Sequence, residues 1–454
     1  MACIRARLPH PCAAATATGP AAPHSPETPL LQLEHAAPGQ LRALEAQLAD
    51  AHRTFVAQGL ALDLTRGKPS AEQLALSDAL DGILDGRYLA EDGTDTRNYG
   101  GLDGLPEAKR FGAALMGVDP GSVLVGGNSS LTLMYQAVLV AHRFGLTGAD
   151  SAWSRGGTVR FLCPVPGYDR HFTVCEQLGI EMLTVPMTAE GPDMDRVEAM
   201  LAADPTIKGM WCVPKYSNPT GVVYSDATVD RIARLARVAG EGFRVFWDNA
   251  YAVHDLREVR PLASIEAACR AHGTVDSVLQ FASTSKITHA GSGVAFMSAS
   301  PANLAGFKAF LTACTIGPDK VNQLRTVRLL PDRDALMAHM QRHAAILAPR
   351  FAIVLRVLEE QFAGGDLGQW EAPAGGYFVA FDTRPGVASA AVALAAEAGV
   401  KLTPAGATFP YGRDPQDRNI RIAPSVPSLP QLETAMAVFA NSVKLASVRA
   451  ALAG

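Results

Sequence analysis

The chain has 454 residues, 48% of them hydrophobic and 19% charged, enough for a large domain with a smaller partner and a substantial buried core. Its net charge of −4 and pI near 6.3 give no electrostatic case for binding nucleic acid or an anionic membrane. The seven cysteines (Cys3, Cys12, Cys163, Cys175, Cys212, Cys269 and Cys314) are scattered and form no C-x-x-C pair, which suits reduced thiols in the cytoplasm rather than a disulfide framework or a zinc site.

From Met1 to about Pro29 the chain is rich in Ala, Pro, Thr and His and lacks a continuous apolar core, so residues 1–35 read as a disordered extension. No stretch approaches the roughly 18 apolar residues of a membrane span. A first helix is predicted from Gly39 to Gln58, with Leu41, Leu44, Leu48 and Phe55 on one face. Leu62 to Pro69 reads as a short strand breaking into a Gly-Pro turn, with Arg66 and Lys68 at the break. Arg97 to Glu107 is a glycine-rich loop that feeds a helix opening on Pro106 and Glu107. Next come a strand, Ser122 to Val125, a turn, Gly126-Gly127-Asn128-Ser129-Ser130, and another helix. This order can cradle a phosphate on backbone N–H groups, although a plain βα turn looks the same.

Apolar runs near 158–163, 207–213, 243–247, 277–281 and 293–298 then alternate with helical stretches, one of which opens at Ser225. This is an α/β pattern, a sheet buried between helical layers. Ligands in such sheets gather at the carboxyl ends of strands. Tyr168, Asn218, Asp248 and Lys286 all fall there. Lys286 ends the segment Phe281-Ala282-Ser283-Thr284-Ser285-Lys286, between two buried strands. A lysine in that place is costly unless it is paired, neutral or covalently used.

The last third changes character. A long helix is predicted over about Ala335–Phe362, a strand over Gly375–Phe381, and a helix from Ser389, its N-cap, to Ala398. A strand over Asn419–Ala423 and a helix from Leu429 to about Val448 complete a smaller α+β domain, which presents Arg421 between two isoleucines. The expected organisation is an arm and part of the small domain in 36–90, a large domain in 91–334 and a C-terminal small domain in 335–454.

Ser217-Asn218-Pro219-Thr220-Gly221, Asp248-Asn249-Ala250-Tyr251, Ser283-Thr284-Ser285-Lys286 and the late Arg421 follow one another in a telling order. From about Leu41 onward the chain resembles the class I aminotransferases, the pyridoxal-phosphate enzymes of the aspartate aminotransferase fold. Segments 64–69, 283–294 and 317–325 resemble a divergent, MocR-like bacterial subgroup whose characterised members are similar to aspartate aminotransferases. The resemblance implies fold type I, a large domain with a mixed, mostly parallel sheet between helices plus the smaller α+β domain. It implies pyridoxal 5′-phosphate as cofactor, amino-acid and 2-oxo-acid substrates, and a homodimer with active sites at the subunit interface. It implies no metal, nucleic acid or membrane.

The resemblance also assigns roles. Lys286 would hold the cofactor covalently and then act as the base that moves a proton. Asp248 would keep the pyridine nitrogen protonated. Asn218 and Tyr251 would bond its phenolic oxygen, across a cis Asn218–Pro219 peptide, and Tyr168 would stack on the ring. Gly127, Asn128, Ser129 and Ser283 would hold the phosphate, and Tyr99 would reach the phosphate of the neighbouring subunit. Arg421, with the Gly67 N–H and Asn218, would grip the substrate α-carboxylate.

Two departures stand out. Relatives carry a phosphate-neutralising arginine shortly after the lysine, whereas this chain has Gly291-Ser292-Gly293-Val294. The cation for a second substrate carboxylate has no secure counterpart; Lys320 is the candidate, with Arg66 and Lys68 as rivals. The expected reaction is L-aspartate plus 2-oxoglutarate to oxaloacetate plus L-glutamate. The alternatives are transamination of aromatic or neutral amino acids, a lyase on the same scaffold, or a cofactor-sensing regulator. That last reading needs an N-terminal DNA-binding domain, which the residues before the first helix are too few to form.

Overall fold

The computed structural model describes Leu33 and residues 36–453; apart from Leu33, the extension expected over 1–35 lies outside the described residues. An arm helix α1 (Pro38–Ala57) leads to β1 (Leu62–Asp63), the short α2 (Ala71–Ala75) and, after a long loop, α3 (Pro106–Met116). The chain then alternates through β2 (Val123–Val125), α4 (Ser130–Leu139), β3 (Arg160–Val165), α5 (Asp169–Gln177), β4 (Glu181–Thr188), β5 (Gly191–Pro192), α6 (Met194–Ala203) and β6 (Ile207–Cys212). It continues through α7 (Asp226–Arg234), β7 (Arg244–Asp248), α8 (Ile265–His272), β8 (Val278–Ser283), β9 (Ala295–Ser298), α9 (Pro301–Cys314) and α10 (Lys320–Leu329). The long α11 (Arg333–Phe362) precedes β10 (Gly368–Trp370), β11 (Val379–Thr383), α12 (Ala388–Glu397), β12 (Val400–Lys401), β13 (Asn419–Ile422) and α13 (Leu429–Ala453).

Eight strands form one sheet in the order β2-β9-β8-β7-β6-β3-β4-β5. From β4 to β8 all neighbours are parallel; β9 runs antiparallel to β8 and β2, and β5 to β4. β7 is buried along its whole length, as a central strand covered by helices on both faces must be. The carboxyl ends of β3, β6, β7 and β8 therefore lie side by side, and the loops after them meet. A second, antiparallel sheet has the order β10-β11-β13. β1 pairs in parallel with β12, Leu62 opposite Val400, and α1 packs on α13, so the first described elements share a core with the last.

Local signals explain most boundaries. Ser225 caps α7 by accepting the Thr228 N–H at 3.2 Å, and Asp332 caps α11 through Ala335 N at 2.8 Å. Ser389 does not cap α12, contrary to the sequence reading. It lies inside the helix and donates through Oγ (2.6 Å) and N (3.0 Å) to the Asp417 carboxylate, so a distant loop supplies the acceptor. The strand expected from Gly375 starts at Val379. Gly376 has φ +85°, and a Cβ on Gly375 would lie 2.3 Å from the Tyr216 ring, so these glycines serve a close approach rather than a ladder. α13 also corrects the reading of membrane spans. It has the length and hydropathy (1.2) of one, but it packs against α1, α11 and α12 as a core helix. Cys163, Cys175, Cys212 and Cys269 are buried free thiols.

Candidate active site

The loops after β3, β6, β7 and β8 close with the turn after β1 and with β13 around a cavity of about 550 Å³. Gly67, Tyr168, Asn218, Tyr251, Lys286 and Arg421 share its wall. Lys286 sits on a turn clipped at its base by Thr284, whose N–H donates to Val294 O and whose Oγ accepts from Val294 N, both at 2.9 Å. The Lys286 ammonium lies 5.3 Å from the Tyr251 ring centroid and has no ion-pair partner among the described residues. Burial lowers its pKa, and the Arg421 charge pushes the same way against Asp248. The amine is therefore deprotonated more readily than a surface lysine, as a nucleophile or base must be.

Asp248, the last residue of β7, is buried. Its Oδ2 lies 3.2 Å from His171 Nε2, while Oδ1 is buried without a partner. His171 stacks on Trp211 at 4.2 Å and 8° and meets the Tyr168 ring edge-on at 4.9 Å. One carboxylate oxygen is thus oriented from behind and the other left without a partner. Burial, with the charges of Asp248 and Asp169, pushes the Tyr168 phenol up to about 12, so its ring remains neutral.

Two loops build an anion cradle. Ser283 Oγ donates to Ser285 Oγ at 3.1 Å, Ser285 Oγ to Asn128 O at 3.2 Å, and Asn128 Nδ2 to Gly291 O at 3.1 Å. Ser129 precedes α4 without capping it through its side chain, which leaves first-turn N–H groups for an anion. Gly127 has open space where a Cβ would stand. Beside the arginine-free stretch after Lys286, Asn322 Nδ2 donates to Ser292 O (2.6 Å) and Gly293 O (3.1 Å). The bonded members of the cradle are hydroxyls, an amide and backbone.

At the opposite end Arg421 donates from Nη1 to Asp169 Oδ1 at 3.0 Å and to Asn218 Oδ1 at 3.2 Å, and from Nη2 to Thr403 Oγ1 at 3.3 Å. Its Nε is buried without a partner, and its guanidinium lies 4.8 Å from the Phe378 ring centroid. Asn218–Pro219 is cis. A Cβ on Gly67 would stand 2.6 Å from the Phe378 ring, so only glycine lets that turn approach.

Seven predicted residues lie outside this wall: Asp248 and the cradle residues Gly127, Asn128, Ser129 and Ser283, and also Tyr99 and Lys320. Lys320 is buried, and its ammonium donates to Asn98 O at 2.8 Å and Gly100 O at 2.6 Å. It braces the glycine-rich loop, which corrects its reading as a carboxylate ligand in this cavity. Tyr99, on the same loop, is 83% exposed. The wall carries Arg66, Lys68 and Arg170 instead. Sequence reasoning missed Arg170, Asp169 and His171; the one available signal was the Tyr168–His171 spacing, one helical turn. The site suits pyridoxal phosphate on three counts: an orphaned Asp248 oxygen that can take a ring N–H, an unpaired amine on Lys286, and an open anion cradle.

The profile of the aspartate amino-transferase family matches residues 36–454. An aspartate aminotransferase of Corynebacterium glutamicum is 45% identical over 392 residues, covering 86% of this chain and 90% of that protein. The crystal structure of an aspartate transaminase from the same organism superposes with a TM-score of 0.89 at 42% identity, covering 93% of this chain and 99% of that one. An α-aminoadipate aminotransferase from Thermus thermophilus, complexed with N-(5′-phosphopyridoxyl)-L-leucine, shares the fold at 21% identity and a TM-score of 0.71, over 87% of this chain and 95% of that one.

Proposed function

The chain belongs to the aspartate amino-transferase family, and from that premise we propose that it uses pyridoxal 5′-phosphate to move the amino group of L-aspartate to 2-oxoglutarate, giving oxaloacetate and L-glutamate. It is an aminotransferase, with the α/β architecture of fold type I. One observation carries the chemical reading: the unpaired Lys286 amine, the half-orphaned Asp248 at the end of β7 and the Arg421 guanidinium on β13 converge at one end of the sheet. The 45% identity to an aspartate aminotransferase supports the donor.

When bound, the cofactor supplies an electron sink for the substrate carbanion. The rest falls to side chains. Asp248 Oδ1 receives the ring N–H and holds its proton, with His171 fixing the other oxygen. Tyr168 covers the ring face, and Asn218 and Tyr251 donate toward its phenolic oxygen. Gly127, Asn128, Ser129 and Ser283 hold the phosphate. Lys286 Nζ would take the proton from substrate Cα and deliver it to the carbon on the far side of the transferred nitrogen. Arg421, helped by the Gly67 N–H, binds the α-carboxylate. Arg66, Lys68 and Arg170 are the cations for the second carboxylate. The active unit is a cytoplasmic homodimer in which the exposed Tyr99 addresses the partner's phosphate. The MocR-like subgroup is the finer placement we favour.

The test is an absorbance spectrum of the purified protein with pyridoxal phosphate, before and after L-aspartate. A cofactor band that moves to the amine form is expected. A band that stays fixed with aspartate but moves with a neutral or aromatic amino acid would reject the substrate and keep the chemistry. Absence of a cofactor band would reject both.

A further inference from the structure

Behind the Lys286 turn lies a buried polar network that the reaction as described does not use. His254 Nε2 is 3.2 Å from Lys286 O. His339 Nε2 and His343 Nε2 are 2.7 Å and 2.9 Å from Ile287 O. All three rings are buried. A carbonyl oxygen only accepts, so each Nε2 carries a hydrogen. On the far side His339 Nδ1 faces Arg342 Nη2 at 2.7 Å, and His343 Nδ1 faces Gln73 Nε2 at 3.1 Å. Those partners only donate, so both Nδ1 atoms accept. His343 Nε2 also lies 3.1 Å from His339 Nε2; with both hydrogens directed at the shared Ile287 carbonyl, the Nδ1 contacts set both tautomers in neutral rings.

The network does not stop at the helix. Gln73 Nε2 also donates to the Tyr377 hydroxyl at 2.8 Å. Tyr377 stacks on Tyr251 at 6.1 Å, the ring beside which the Lys286 amine sits, and both Tyr251 and Tyr377 touch His254 edge-on at 5.7 Å. Gln73 lies on α2, just beyond Gly67, and Tyr377 precedes Phe378, which backs Arg421. The elements that shape the carboxylate end of the cavity thus reach the lysine's backbone from behind.

We propose that His254, His339 and His343 are positioning residues, a clamp of neutral imidazole donors on the Lys286 and Ile287 carbonyls that ties the lysine's turn to α11, α2 and the segment entering β11. The Lys286 side chain has to move between cofactor and substrate, and that motion is accurate only if its backbone is fixed. The Thr284 clip holds the turn from the sheet side, and the histidines hold it from the helix side. This inference rests on the reading of Lys286 as the reactive amine.

The experiment compares His339→Leu and His343→Leu with His339→Gln and His343→Gln, since a glutamine amide can place a donor near the lost Nε2. In the holoenzyme the leucine variants are expected to lower kcat about 10- to 100-fold, with KM within about threefold, and the glutamine variants to recover most of the loss. The second readout is independent of turnover. Reductive methylation of the full chain freed of cofactor, followed on the Lys286 peptide across pH, gives the titration of that amine. A loosened turn admits water, so the apparent pKa should rise in the leucine variants by about one unit and return toward wild type with glutamine. Folded leucine variants with wild-type kcat and an unshifted Lys286 titration would overturn the proposal. Should they fail to fold, Gln73→Leu frees the His343 tautomer from the far end, and an unshifted titration there overturns it equally. A wild-type protein that does not transaminate would instead defeat the functional reading and leave the titration result to stand alone.

Discussion

Asp169 pairs with Arg421, the residue proposed to bind the substrate α-carboxylate, and so competes with substrate for it. The ion pair spans 3.0 Å, with the arginine buried and the aspartate side chain about one-third exposed. Water at the aspartate end screens this half-buried pair, which leaves its competition with a substrate carboxylate at about 1 kcal/mol. Asp169→Asn should therefore lower KM for aspartate about three- to fivefold, with kcat within about twofold. Calorimetric affinity for an unreactive dicarboxylate such as maleate should rise in parallel; weaker binding would mean that Asp169 orients Arg421 rather than competing for it. Lys286→Ala should abolish amino transfer and the cofactor's response to substrate, and a variant that still turned over would exclude Lys286 as the reactive group. The positions of Lys286, Asn218 and Arg421 on one cavity, and of Asp248 at the end of β7, were legible in the sequence because each sits in a short motif or an apolar strand that sets its local position. His171 and Asp169 were not, because their partners are 77 and 252 residues away. Lys320 misled for the same reason, since nothing local shows two loop carbonyls 222 and 220 residues away absorbing its charge.

At the scale of elements, the turn after β1 and the segment before β11 are fitted to each other. A Cβ on Gly67 would meet the Phe378 ring at 2.6 Å and Tyr377 Cβ at 2.9 Å. Gly67→Ala must push Phe378 away from beneath Arg421, an overpacking cost of about 1–3 kcal/mol. The expected result is a lower melting temperature together with a KM for aspartate raised about tenfold, and an unchanged KM would place the carboxylate elsewhere. The same glycine chemistry hid the start of β11. Gly375 and Gly376 extend an apolar run on paper, yet they exist to let Tyr216 and His254 come close. The central strands were legible because burial on both faces makes them continuous apolar runs. β4 was not, since its burial is mixed, as befits a strand near the sheet edge, and Pro186 interrupts it. Helix starts with side-chain caps, such as Ser225, were readable; α12 was not, because its acceptor comes from Asp417.

For the molecule as a whole, the buried histidines set a pH limit on stability. Burial lowers His254 to about 3, helped by the charges of His343, Lys286 and Lys215, and His343 to about 4, helped by His339 and Arg342; burial also lowers His339. An unfolded histidine titrates near 6.5. Between about pH 6.5 and 4 the unfolded chain therefore binds protons that the folded chain refuses, so stability rises with pH across that window and is lost as the pH falls. Protonation would add an Nδ1 hydrogen on His343 facing the Gln73 amide, donor against donor, and would break the clamp that joins α2 to α11. The urea midpoint should be flat above about pH 7 and fall steadily from about pH 6.5 to 5, His254 and His343 each contributing on the order of 1–3 kcal/mol by pH 4. Carboxylates held low, such as Asp95 at about 2 beside Arg97, act below this window and do not mimic it. His343→Gln should remove part of the slope without moving the plateau in the same proportion. A midpoint that does not change between pH 6.5 and 5 would mean that these rings are solvated or already charged, and the tautomers argued for the clamp would fall with that result.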